Sequence, residues 1–206
     1  MPIYNAPLAD MKFILNDVFN ADQFWQSNEN LAHVDSATAE AILEEMAKFA
    51  QNVTLPLNRT GDEEGATFSN GAVTTPAGFK EAFKQYAEGG WIGLAADEEW
   101  GGQGMPKMLT VLADEMLFAT NPSFMLYPLL SVGAGMALNS YASQEQKETY
   151  LPKIYSGEWS GTMCLTEPHA GTDLGIIKTK AEPNEDGTYN ITGTKIFITG
   201  GDHDLA

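Results

Sequence analysis

The stretch Met163-Cys-Leu-Thr-Glu-Pro-His-Ala-Gly-Thr-Asp173 concentrates residue types that could do chemistry, and it reads as a strand running into a polar, glycine-bearing loop. Thr166, Thr172 and the backbone groups near Ala170 and Gly171 offer hydrogen-bond donors and acceptors on a rigid edge, which suits an uncharged, planar, heteroatom-rich ligand. Read alone, the stretch is more readily a plain structural turn than a ligand site. Cys164 has no neighbouring base and is expected as a buried strand residue rather than a nucleophile. His169, a single histidine with no visible partner, is expected as an exposed loop residue, and Glu167 as a structural carboxylate.

The elements that must position this stretch are legible from periodicity. Asp35 or Ser36 can cap a helix whose apolar positions Ala39, Ile42, Leu43, Met46, Phe49, Ala50 and Val53 follow helical spacing until Pro56 ends it. Thr75 and Pro76 read as a cap and a first-turn proline, followed by the stripe Phe79, Ala82, Phe83 and Tyr86 and a stop at Gly89 and Gly90. Trp91 to Gly104 is too rich in glycine for a helix and reads as a loop. Met105, Met108, Leu109, Leu112, Met116 and Leu117 mark the next helix, and Ser143 with Gln146 makes a capping box for the one after, closed by Pro152 and Gly157. From Trp159 the pattern turns to β-type: Gly175 to Ala181 and Thr188 to Ile191 flank a hairpin turn, and Thr194 to Thr199 gives another strand. The fold class is therefore α+β, with a helical domain over residues 1–157 and the first strands of an antiparallel β domain over 158–206, too few to close a sandwich or barrel.

Composition narrows the function classes. The chain has 206 residues, with 28 acidic against 11 basic side chains and a formal net charge of -17, and Arg59 is its one arginine. A polyanion needs clustered Lys and Arg to displace its counterions, so nucleic acid is not an expected partner. One cysteine permits no internal disulfide, and the first twenty residues lack a signal-peptide pattern, so the expected location is cytoplasmic. The uncharged run Asn121 to Ser143 carries Pro128, serines and asparagines, and reads as one or two buried helical segments rather than a membrane span. No metal site is indicated, and no Gly-x-Gly-x-x-Gly follows an expected strand.

A second motif, Gly193-Thr-Lys-Ile-Phe-Ile-Thr-Gly-Gly201, follows the first about two dozen residues on. Together with Trp91-Ile-Gly-Leu, Trp100-Gly-Gly-Gln-Gly104 and the helix Gln144 to Glu158, in that order, the chain resembles the acyl-CoA dehydrogenase family over essentially its whole length. The opening Pro2 to Phe13 is similar to an extension in the branch that contains 3-methylmercaptopropionyl-CoA dehydrogenase, and makes Met11, Ile14, Leu15, Val18 and Phe19 candidate core positions.

The resemblance implies FAD as cofactor, an acyl-CoA thioester as substrate, 2-enoyl-CoA as product and an electron-transfer flavoprotein as partner. It also implies a homo-oligomer when complete. Leu165, Thr166, Phe197 and Thr199 are implied as flavin contacts and Thr172 as a substrate contact. No catalytic residue is implied within the chain, because the family's glutamate base belongs to a C-terminal helical domain expected beyond residue 206, and the chain alone is expected to be inactive. His169 stands where many members have glycine and Phe197 where many have tryptophan, which implies a reshaped pocket. A related acyl-CoA oxidase, or a binding or scaffold protein that has lost catalysis, are the alternative readings.

Overall fold

The structure is a computed structural model that describes residues 3–206; Pro2, the first residue of the opening extension, lies outside the described residues. Eight helices and two small hairpins follow one another among these residues: α1 (Leu8–Phe13), α2 (Ala21–Gln26), α3 (Ser36–Phe49), α4 (Leu55–Glu64), β1 (Thr67–Ser69), β2 (Ala72–Thr74), α5 (Phe79–Glu88), α6 (Lys107–Thr120), α7 (Pro122–Tyr141), α8 (Gln144–Tyr155), β3 (Lys180–Pro183) and β4 (Tyr189–Thr192). The α+β class is observed, with helices dominating up to Tyr155 and the β3–β4 hairpin after it.

The helical core forms where apolar stripes meet. Asp35 caps α3 by accepting from the Thr38 N–H at 2.7 Å, and Leu43, Met46 and Phe49 on its buried face lie against α6. Phe49, Phe79, Tyr86 and Phe124, from α3, α5 and α7, share an aromatic cluster with ring centroids 5.6 Å apart for Phe49 and Tyr86 and 5.8 Å for Phe79 and Phe124. Rings at these separations add edge-to-face attraction to the area they bury.

Pro56 does not end the helical path as expected. The chain crosses it through a π-helical turn at Ala50–Thr54 and restarts α4 with the proline in its first turn, where a missing N–H leaves nothing unpaired. Pro152 is likewise carried inside α8, which runs on to Tyr155, because the Glu148 turn it would have bonded faces solvent. In the opening segment only Met11 and Leu15 of the five candidate core residues are buried. A π turn at Ile14–Val18, closed by Phe19 N–H on the Ile14 carbonyl at 3.0 Å, shifts the helical phase and leaves Ile14, Val18 and Phe19 outside.

Thr75 is not a helix cap. Its N–H and hydroxyl both donate to Asp204, at 3.0 and 2.7 Å, and α5 begins after a left-handed Gly78. The β1–β2 hairpin, unforeseen in the sequence, turns on Asn70 and Gly71, both at positive φ. The uncharged run Asn121 to Ser143 holds one helix, α7, which is buried on one face only, with Leu126, Met136 and Tyr141 exposed. No helix among the described residues is long and apolar enough to cross a membrane.

Asn121 joins three elements at a fully buried point. Its Oδ1 accepts from the Phe124 N–H at 3.0 Å to cap α7, and its Nδ2 donates to the Thr54 carbonyl at 3.2 Å, beside a Thr54–Thr120 hydroxyl pair at 2.8 Å. Asn121→Ala removes the cap and a buried hydrogen bond to the Thr54 carbonyl, and is expected to cost about 2 kcal/mol of unfolding free energy in a urea titration. A loss under about 0.5 kcal/mol would show that the junction is held by packing alone.

Candidate functional site

The residues of the first motif are positioned by α7 and α8. The capping box is present, with Gln146 N–H on the Ser143 hydroxyl and the Gln146 side chain returning to the Ser143 N–H. After α8 the chain reverses at Gly157 and reaches α7, where Gly161 N–H donates to the buried Ser131 hydroxyl at 3.1 Å. A Cβ on Gly161 would stand 2.4 Å from that of Ala134, so only glycine permits this approach.

The two motif segments lie beside each other without forming a sheet. Ile196 N–H donates to the Thr166 carbonyl at 2.9 Å, and the Thr162 hydroxyl donates to the Thr199 carbonyl at 2.6 Å. Neither Met163 to Thr166 nor Thr194 to Thr199 is a strand, contrary to expectation, because single bonds join them where a strand needs a ladder. Leu174–Ile176 is a turn of 3₁₀-helix instead of the start of the next strand. Cys164 is exposed rather than buried, since no sheet covers it.

Glu167 is the hub of the site and is 3% exposed. Lys195 Nζ donates to its Oε1 at 2.8 Å, the Thr179 N–H to the same oxygen at 2.9 Å, and the Lys178 N–H to Oε2 at 2.8 Å. These bonds, the Lys195 ammonium foremost and then the Lys178 N–H, hold the carboxyl well below the usual carboxylate range. Lys195 Nζ also donates to the Leu165 carbonyl at 2.9 Å. His169 is an exposed loop residue as expected, but its Nε2 lies 3.1 Å from the Ile176 carbonyl oxygen and 3.3 Å from Glu167 Oε2, so it does have partners.

Leu165, Thr166, Phe197 and Thr199 are brought together by these contacts, whereas Thr172 lies apart on the exposed loop that follows. Leu165 is 38% exposed and Phe197 87%. Phe197 has φ 56, a left-handed conformation that costs an L-residue roughly 1–2 kcal/mol. The Thr166 N–H and the Thr166 and Thr199 hydroxyls have no hydrogen-bond partner among the described residues. Uncommitted donors beside two apolar side chains fit the edge of a planar, heteroatom-rich ring. A cavity of about 120 Å³ between Leu94, Thr110, Val132, Met136 and Tyr155 contains none of these residues and is separate from the site.

Sequence reasoning missed Lys195 and Thr162. Lys195 could have been singled out as a lone cation entering the apolar run Ile196-Phe197-Ile198, where a charge needs a partner. No group of three or more potential metal ligands occurs among the described residues.

Comparison with known proteins gives a consistent result. A family described as acyl-CoA dehydrogenase, N-terminal domain, matches residues 36–158. The 3-methylmercaptopropionyl-CoA dehydrogenase of Ruegeria pomeroyi is 42% identical over 203 residues, which are 98% of this chain and 34% of that protein. An acyl-CoA dehydrogenase from Bacillus anthracis, solved complexed with FAD, superposes with a TM-score of 0.67 at 28% identity, over 82% of this chain and 28% of its own. A chain from a structure of the electron transferring flavoprotein of Acidaminococcus fermentans gives a TM-score of 0.67 at 26% identity, covering 84% of this chain and 41% of that one. The chain spans about a third of the length of the curated relatives it matches.

A carboxyl whose pKa is depressed on folding contributes stability that is present above the unfolded pKa, about 4.3 for glutamate, and lost as pH falls below it. Glu167 is such a group. Glu167→Gln is expected to be less stable than the parent by a constant margin from pH 6 to 8, and the margin is expected to narrow as pH falls below about 4. Thermal or urea melts across that range check this; a margin that widens on acidification would contradict the assignment.

Proposed function

The chain belongs to the acyl-CoA dehydrogenase family, and from that premise we propose that it provides the N-terminal helical part and one edge of the cofactor site of an FAD-dependent dehydrogenase that converts an acyl-CoA thioester into 2-enoyl-CoA. The observation that carries this reading is the pair of cross-linked segments presenting unpaired donors of Thr166 and Thr199 beside Leu165 and Phe197. Bound FAD would supply the electron sink for oxidation of the CH–CH bond.

The residues of this chain would orient and tune rather than react. Thr166 would address the polar edge of the flavin through its N–H and hydroxyl, Thr199 through its hydroxyl, and Leu165 and Phe197 would exclude water from the ring. Thr172, on the adjoining loop, would hold the acyl-CoA near its thioester. Glu167 is unsuited to remove the α-proton, because its oxygens are committed to Lys195, Lys178 and Thr179. In keeping with the family reading, the proposal includes an electron-transfer flavoprotein as acceptor, assembly as a homo-oligomer, a cytoplasmic location, and a domain division near residue 157.

Thr166→Val and Thr199→Val are each expected to weaken FAD binding in the holo-protein by about 1 to 3 kcal/mol, or to move the flavin potential, read by fluorescence titration and spectroelectrochemistry. Unchanged affinity and potential in both variants would remove the basis of the assignment. Thr172→Val is expected to raise the dissociation constant for acyl-CoA and leave that for FAD alone. The 206-residue chain supplied with FAD, acyl-CoA thioesters and an artificial electron acceptor is expected to form no enoyl-CoA above a protein-free control. Turnover abolished by Glu167→Gln would instead make Glu167 the base.

A further inference from the structure

Lys195 occupies a position that ion pairing with Glu167 alone does not explain. Its side chain is 20% exposed, and its ammonium divides between Glu167 Oε1 at 2.8 Å and the Leu165 carbonyl at 2.9 Å. The Leu165 carbonyl and the Thr166 N–H are opposite ends of one planar amide. A cation hydrogen-bonded to the oxygen draws electron density toward it through the conjugated C–N bond and leaves the N–H more positive. That N–H has no acceptor among the described residues. The next peptide is engaged as well, since the Thr166 carbonyl accepts from the Ile196 N–H at 2.9 Å.

We infer that Lys195 is a positioning residue that polarises the Leu165–Thr166 peptide, making the Thr166 N–H a strengthened donor toward the acceptor edge of the flavin. This inference rests on the flavin reading above for its ligand, and on geometry alone for the polarised peptide. Glu167 keeps the ammonium on the carbonyl. Two backbone N–H groups fix Glu167 in turn, so the lysine is tied through a buried carboxylate to Lys178 and Thr179 rather than left to solvent.

The test has two arms. In the ¹⁵N-labelled chain, Lys195→Met, of similar length but uncharged, is expected to move the Thr166 amide proton upfield, Lys195→Arg to restore most of the shift, and Glu167→Gln to move it less than Lys195→Met. In the FAD-loaded holo-protein, Lys195→Met is expected to lower the flavin midpoint potential and to weaken FAD binding about tenfold, with Lys195→Arg again close to the parent.

A folded Lys195→Met chain with the Thr166 amide and the flavin potential both unmoved would overturn the inference. An amide shift in Lys195→Arg equal to that in Lys195→Met would overturn it too, because the positive charge on the Leu165 carbonyl would then not be what sets the Thr166 amide. Should Lys195→Met fail to fold, the Arg and Gln variants decide alone, with a loss of the parental Thr166 shift in Lys195→Arg counting against the inference. Failure of the parent to bind FAD would instead sink the flavin reading, and the amide arm would still judge the polarised peptide.

Discussion

The site depends on one close approach, that of Gly161 to α7. At this point the backbone passes so near Ala134 and the Leu130 carbonyl that no side chain fits, and the Gly161 N–H finds the one buried serine of α7, Ser131. Everything downstream takes its bearing from there. Four residues on, the chain carries Leu165 and Thr166, and the second segment returns to the same helix, with Gly200 beside Tyr127 and Leu130. His203 then meets Tyr127 edge-on at 5.2 Å between ring centroids, and Asp204 closes onto Thr75. A motif with little regular structure of its own is held because it is tied to a helix at both ends.

Between those ties, charge does what a sheet ladder does elsewhere. A ladder fixes two segments through many equivalent bonds, each net worth about 1 kcal/mol. Here Thr166 and Ile196 share one such bond, and the Glu167–Lys195 contact adds charge-assisted ones across a separation of 28 residues. The carboxylate is buried and accepts from three donors, which satisfies the condition under which a buried charge is tolerated. The result is a buried, hydrogen-bonded hub beneath exposed side chains, Leu165 and Phe197.

What the sequence disclosed divides along the same line. Helices were legible because each has to hide a stripe, and stripes such as Leu109, Met116 and Leu117 repeat at helical spacing whatever they meet. Proline misled at Pro56 and Pro152, since its cost depends on whether the carbonyl it abandons has water or a π turn to turn to. Strand propensity misled at Thr194 to Thr199, where β-branched residues stand without partners to pair with. The Asn70-Gly71 turn carried a usable hairpin signal, but its flanking strands are only three residues each. At the site, the two motifs could be read from residue types and order. The bond from Lys195 to the Leu165 carbonyl could not, because it depends on a chain crossing that local periodicity does not encode.

The two parts of the molecule also differ in what stabilises them. The helical part buries Trp25, Phe83, Phe124, Leu151 and their neighbours almost completely, and burial of such side chains contributes about 1.5–3 kcal/mol each before entropy is counted. The β3–β4 hairpin buries none of its residues, and its Tyr189 and Ile191 stand in solvent. An isolated two-stranded hairpin is marginal in water. Its base is fixed instead by the Glu167 carboxylate, which reaches Thr179 just ahead of β3, and by Gly193 just after β4, where a Cβ would collide with Thr179. The helices are therefore stabilised chiefly by apolar burial, whereas the hairpin and the two motif segments share one electrostatic tie. Weakening that tie removes the stability that the buried carboxylate contributes and alters the geometry of these segments, while the apolar contacts among the helices stay as they are.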